Sequence, residues 1–308
     1  MNGFWEAWRK DIIRGTALFC GVIGIWMLGR YFVGRVRQGV TRRLPMALRD
    51  LRNEFDGDPD AGPRVAGGTW TYRAKVAPKQ WLWIRDTRGS VTVEPANGAF
   101  VEVRAVKSFR WSSDTGAVRL VAQPYAGGIV VCALWPGGDS RCGPAEDGYE
   151  MHGTHRNDVV VDFTVRLPAN VRLGASTMVG DVRVSGGRGP LVLHTVSGEV
   201  DAATSQGPVT AHSMNGSVRV RVDAFGDTGA VSLKTVNGSV TAELPSWLDA
   251  QVSAKTINGS ITTDYPLPVN GKFMGHDIEG TLGRGGREVH LETVNGSIRL
   301  NKAPQGAR

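Results

Sequence analysis

Few residues in this chain have the types and spacing that chemistry needs. His152 and His155 stand three apart beside Glu150, and two imidazoles with a carboxylate form the donor set of a zinc or copper site. The flanking Gly148 and Gly153 give that loop no fixed register, and a further ligand is not evident, so a polar loop is the preferred reading and no metal is expected. Asp181 and Glu199 adjoin glycines in a way that suggests calcium, but the nonapeptide glycine-aspartate series that such sites use is missing. Cys132 and Cys142 are ten apart around Pro136, Gly137 and Gly138, a spacing that suits a loop-closing disulfide in an oxidising compartment. No nucleophile elbow, phosphate loop, dinucleotide fingerprint or His-Glu-x-x-His run occurs. The expectation is therefore a protein that is not an enzyme, with no catalytic residue and no cofactor.

The elements that would position any site follow from a repeat. A hydroxyl residue, an apolar residue, Asn or a substitute, Gly, a small or acidic residue and then Val or Ile recur between Thr177 and Leu300. The corner positions are Gly180, Gly198, Asn215-Gly216, Asn237-Gly238, Asn258-Gly259 and Asn295-Gly296, so the glycines step by 18, 18, 22, 21 and 37 residues. A decayed copy at Ile278-Glu279-Gly280-Thr281-Leu282 would divide the long step. Apolar residues seven and five before each glycine, and two and four after it as in Val218 and Val220 or Ile298 and Leu300, show the period of a strand, with a change of phase at the glycine. Gly accepts positive φ and Asn tolerates it, so the chain turns there.

Two all-β folds satisfy this pattern. In a β-solenoid, equivalent residues stack about 4.8 Å apart and the Thr, Val, Asn and Gly columns become ladders. In an antiparallel sandwich or meander with Asn-Gly hairpins, identity at equivalent positions brings no stacking gain, and the solenoid is preferred. His194, His212, Lys234, Lys255 and Glu292, each four before a repeat glycine, are expected to point to solvent. Asn215, Asn237, Asn258 and Asn295 also match a glycosylation acceptor pattern, which turn chemistry already explains. Ahead of the repeats, residues 69–168 read as further strands with a cysteine-containing loop, and Gly89-Ser90-Val91 resembles a corner. The repeats occupy 169–301, and 302–308 form a tail.

The chain has 308 residues and a formal charge of +7. Residues 1–52 hold ten basic and three acidic side chains, which leaves residues 53–308 with 26 of each. A folded body without cationic excess disfavours nucleic acid as a partner. The excess flanks an apolar stretch, residues 15–34, whose only charge is Arg30. Twenty residues at 1.5 Å rise cross a bilayer, so this is read as a transmembrane helix, with Trp5, Trp8, Arg30, Tyr31 and Arg35 as interfacial anchors. Ala17, Cys20, Gly21 and Gly24 give one helix face on which another membrane protein can pack closely. Residues 1–14 form a short amphipathic segment. Residues 35–56 are read as a basic amphipathic juxtamembrane helix carrying Leu44, Leu48, Leu51 and Phe55, and 57–68 as a linker. The arginines after the span favour a cytoplasmic β domain, whereas the cysteine pair leans towards an extracytoplasmic, periplasmic one.

The strand with Gly89, the strand from Val159 to Pro168 that enters Thr177-Met178-Val179-Gly180-Asp181-Val182, and the serial Thr-Val-Asn-Gly-Ser copies resemble a bacterial adhesin-like repeat family of unassigned function. The resemblance covers roughly residues 72–300 and implies a β-solenoid-like fold with a surface or envelope role; the membrane helix lies outside it, and the expected location is the bacterial inner membrane, crossed once. Expected partners are the lipid bilayer and other membrane proteins, met through the N-terminal helix and the solenoid faces. The expected function is a scaffold or docking subunit of a larger membrane assembly; the alternative is an adhesin or a module that binds glycan or another polymer.

Overall fold

A computed structural model describes residues 63–111, 114–136, 141–144, 148–150, 157–225, 229–268, 270–271 and 275–303. The expected membrane helix with its packing face and anchors, the juxtamembrane helix, and His152 and His155 lie outside the described residues. Among the described residues every regular element is a strand, and no helix there is long and apolar enough to cross a membrane.

Each repeat forms one strand before its glycine and one after it, as in Val209–Asn215 and Val218–Val222 around Gly216. The first lies in an 11-stranded sheet and the second in a 10-stranded sheet. Neighbouring copies pair in parallel and in register: Val209 lies opposite Val231, Ala211 opposite Leu233, Ser213 opposite Thr235 and Asn215 opposite Asn237. Parallel stacking of equivalent residues is the solenoid arrangement, and it replaces the antiparallel alternative across the repeats. Alternation then sends Val209, Ala211 and Ser213 into the space between the sheets, and Thr210, His212 and Met214 outward. One continuous core of valine, leucine, isoleucine and alanine results, with Phe163 its largest hydrophobic side chain that is fully buried.

Stacking order differs from chain order at both ends. Trp81–Arg85 and Val91–Pro95, joined through Gly89, form a coil directly against the Gly180 coil. On its other side sit Gly128–Leu134 in one sheet and Val160–Leu167 in the other. The coil architecture therefore extends below residue 169. At the far end, the last copy in the chain, Glu288–Asn295 with Ile298–Lys302, pairs with the Gly238 coil. The Gly259 coil, Ala250–Asn258 with Ile261–Thr263, is stacked outside it. The segment Ile278 to Leu282 is not a decayed corner: it belongs to the antiparallel strand His276–Leu282, paired with Ala250–Asn258. Its alternation is real, but Gly280 lies within the strand and turns nothing.

Antiparallel strands close both sheets at one end of the parallel stack and the 11-stranded sheet at the other, where the 10-stranded sheet ends on the parallel strand Ile261–Thr263. Val65–Lys75, Phe100–Phe109 and Arg119–Tyr125 do so at one end, and His276–Leu282 with Asn270–Gly271 at the other. Such terminal strands end the template that an open parallel edge would present.

Candidate binding face

The corners are built by three columns that hold one another. Each hydroxyl of the repeat is buried and donates to the glycine carbonyl of the preceding coil: Thr195 to Gly180 at 2.8 Å, Ser213 to Gly198 at 2.9 Å, Thr235 to Gly216 at 2.8 Å, Thr293 to Gly238 at 2.9 Å and Thr256 to Gly296 at 2.8 Å. That same carbonyl leaves no room for a side chain above it. At Gly216, where φ is +154°, a Cβ would overlap the carbonyl oxygen of Gly198. Glycine is thus required for space as well as for its backbone conformation.

Asparagines form a ladder on the exposed rim. Asn237 donates its side-chain amide to Asn215, Asn295 to Asn237 and Asn258 to Asn295, each at 2.8 Å. An amide has two N–H groups, so each of these donors keeps one free for a ligand.

Beside this ladder runs an apolar column. Met178, Val196, Met214, Val236 and Ile257 are between 37% and 52% exposed, and Val294 lies half-buried between Val236 and Ile257. Six residues at the inter-strand spacing make a stripe about 24 Å long. Single exposed valines are ordinary on a protein surface, but a contiguous row of them marks a contact surface.

The next column inward holds Ser176, His194, His212, Lys234, Glu292, Lys255 and Asp277 in spatial order. Chain order would put Lys234 against Lys255. The exchanged last coil instead sets Glu292 between them, with Lys234 Nζ 3.3 Å from its carboxylate. His290 on the same strand also reaches Glu292 at 3.3 Å. Those contacts, the His290 hydrogen bond first, hold the Glu292 carboxyl down at about 2. His194, His212 and Lys234 are not simply solvated, because neighbours in the column cover them partly. The His194 and His212 rings meet edge to face at 4.9 Å. Burial first, then the charges of His194 and Lys234, lowers His212 to about 4, with Glu292 pulling the other way.

The outer face ends at an aromatic cluster. Cys132 and Cys142 are joined by a disulfide, and Trp81 stacks on Trp83 at 4.7 Å. Trp83 donates its indole N–H to the Tyr125 hydroxyl at 3.1 Å, and its ring covers Gly174, where any side chain would collide. The Arg85 guanidinium lies 4.4 Å over Trp83 and donates to Ser176 at 3.0 Å. Asp86 is fully enclosed and accepts the Thr87 N–H at 2.8 Å; burial pushes its carboxyl well above the usual range, against the pull of backbone hydrogen bonds. Sequence reasoning missed Arg85 and Asp86, since nothing in a two-residue charge pair announces burial. It also recorded the outward apolar residues only as repeat letters. The signal was present: an inward hydroxyl three before the glycine forces its successor outward.

Among the described residues no three potential metal ligands cluster. A cleft of about 460 Å³ on the other sheet is lined by Tyr72, Arg73, Glu94, Glu102, Arg104 and Arg166. There Glu102 is already engaged by Arg73 at 3.2 Å and Arg166 at 3.6 Å.

By architecture the described part is a two-sheet parallel β-solenoid module. Residues 165–301, which hold the repeats, match the family model described as Toastrack DUF4097. The coil fold itself continues beyond the matched stretch, through the Gly89 coil. No curated protein is significantly similar. Among solved structures, a "putative cell adhesion protein" from Clostridium sporogenes is 11% identical over 76% of this chain and 100% of its own, with a TM-score of 0.44. A "putative adhesin" from Bacteroides fragilis is 11% identical over 76% and 97%, with a TM-score of 0.24. Another from Parabacteroides merdae is 10% identical over 77% and 97%, with a TM-score of 0.19.

Proposed function

We propose that this protein is a non-catalytic, membrane-anchored docking module whose solenoid contacts a larger membrane protein assembly. The anchor is the apolar segment 15–34, and the contact is the outer face of the sheet that carries Met178, Val196, Met214, Val236, Val294 and Ile257. The observation that carries this reading is that stripe: its apolar side chains sit exposed in a row along a rigid rim, with polar columns on either side. A partner protein that covers the row removes apolar area from water at roughly 25 cal/mol per Å². Placing a photocrosslinking side chain at Met214 or Val236 in the intact protein, in its own membranes, should yield discrete protein adducts. The same probe at Arg219 or Thr241, on the opposite sheet, should not. Adducts from the opposite sheet alone, or equal adducts from both, refute the assignment.

A second reading, a surface module that binds a glycan or another polymer, is favoured by the Asn ladder, whose unused N–H groups repeat at the strand spacing. Replacing Asn237 and Asn295 by alanine should then abolish polymer binding while leaving the Met214 and Val236 adducts unchanged.

A further inference from the structure

Four corners carry the same triplet, Asn-Gly-Ser, and the fold treats one of them differently. At three corners the glycine N–H is tied to the asparagine carbonyl of the next coil: Gly216 to Asn237 at 2.9 Å, Gly238 to Asn295 at 3.0 Å and Gly296 to Asn258 at 2.9 Å. Gly259 belongs to the outermost coil, because the last repeat of the chain is stacked inside it. Its N–H has no acceptor among the described residues. The side chains follow the same division. Asn237 and Asn295 are each held through both ends of the amide, and Asn215 through its oxygen; Asn258 donates to Asn295 but accepts nothing among the described residues. Asn258, Gly259 and Ser260 are all exposed.

An asparagine followed by glycine can close on itself, since no side chain hinders attack by the glycine nitrogen. The step needs that nitrogen to shed its proton and the asparagine side chain to swing over it. A hydrogen-bonded N–H in a stacked coil prevents both.

We propose that Asn258-Gly259 is a site of spontaneous covalent modification, and that the fold protects the other three corners from the same reaction. The Gly259 amide nitrogen attacks Cγ of Asn258; a C–N bond forms, the bond from Cγ to Nδ2 breaks, and the nitrogen's proton passes through solvent to the departing ammonia. Water then opens the cyclic imide at either carbonyl, leaving an aspartate or an isoaspartate. No oxidant or reductant takes part. The product places a carboxylate at the end of the amide ladder, beside Ile257, where the ladder's last bond to Asn295 is lost.

The inner corners must first open, breaking the glycine N–H bond and one or two amide bonds. Asn258 breaks a single amide bond, so the extra bonds slow the reaction by roughly fivefold at Asn215 and tenfold or more at Asn237 and Asn295. The test is peptide mapping by mass spectrometry of the full-length purified protein after incubation at mildly alkaline pH, with isoaspartate scored at each corner. Asn97-Gly98, in an exposed turn, serves as the internal reference. Conversion at Asn258 should approach that of Asn97 and exceed each of Asn215, Asn237 and Asn295 by about those factors. In urea the four corners should converge, and Asn258→Gln should silence its peptide without altering the others. Equal conversion of all four corners in the folded protein overturns the proposal. So does an Asn258 that stays intact while Asn97 converts.

Discussion

Replacing Thr235 by valine exchanges a hydroxyl for a methyl and little else, because both side chains are β-branched and similar in volume. What is lost is the donor that reaches the Gly216 carbonyl at 2.8 Å. Thr235 is only 4% exposed, so water cannot take the hydroxyl's place without opening the coil. A buried acceptor left without a donor costs about 1–3 kcal/mol. The added methyl returns part of that by apolar burial, about 0.8 kcal/mol for a group of this size. The net expectation is a loss of about 0.2–2 kcal/mol, which for a folded unit of roughly 150–250 residues lowers the melting temperature by up to about 8 °C. Thermal melting followed by far-ultraviolet circular dichroism reads this directly. Thr210→Val is the matched control, since that side chain lies on the outer face of the same sheet, and it should shift stability by less than about 0.5 kcal/mol. A Thr235→Val protein that melts with the control would show that the hydroxyl column does not hold the corners, and the account of why the repeat retains Thr or Ser there would fail.

Two further outcomes test the same framework. Gly216→Ala forces a Cβ against the Gly198 carbonyl and should cost about 2–4 kcal/mol in urea denaturation, more than Thr235→Val; a midpoint unchanged from the parent protein contradicts the close stacking. His212 takes up its proton near pH 4 when folded but near 6.5 when unfolded. Protonation therefore favours the unfolded chain, and stability should fall as pH drops from about 6.5 to about 4, a slope that His212→Asn should flatten in melts across that window. Glu292, held at about 2 when folded but free to protonate near 4.5 when unfolded, adds to the fall in the lower part of that window, so the His212 share is read in its upper part.

Much of the architecture was legible because stacking imposes sameness. A Val, Thr, Asn or Gly that recurs at one place in every copy is explained by the copy beside it, and the phase change at each glycine marked the corner. The order of the copies was not legible. Thr256-Ile257-Asn258-Gly259-Ser260-Ile261 and Thr293-Val294-Asn295-Gly296-Ser297-Ile298 present nearly the same edge to the Gly238 coil, so local pattern cannot choose between them. One clue was Lys255 against Glu292: only the second complements Lys234. Outward-facing Met214 and Val236 followed from strict alternation once Ser213 and Thr235 were known to point inward. The buried Arg85 and Asp86 depend on a distant segment, Tyr149 among its residues, folding over them, and no local period encodes that.

Because the Asn295 repeat is wedged between two earlier ones, the order of the chain is not the order of the object. Removing residues 288–302 would not shorten the stack from its tip; it would pull out the layer next to the tip and leave the Gly259 layer with nothing beneath it. During synthesis, that outer layer has no finished seat until residues 288–302 have left the ribosome. The strand Ile298–Lys302 accordingly lies one layer in from the far tip.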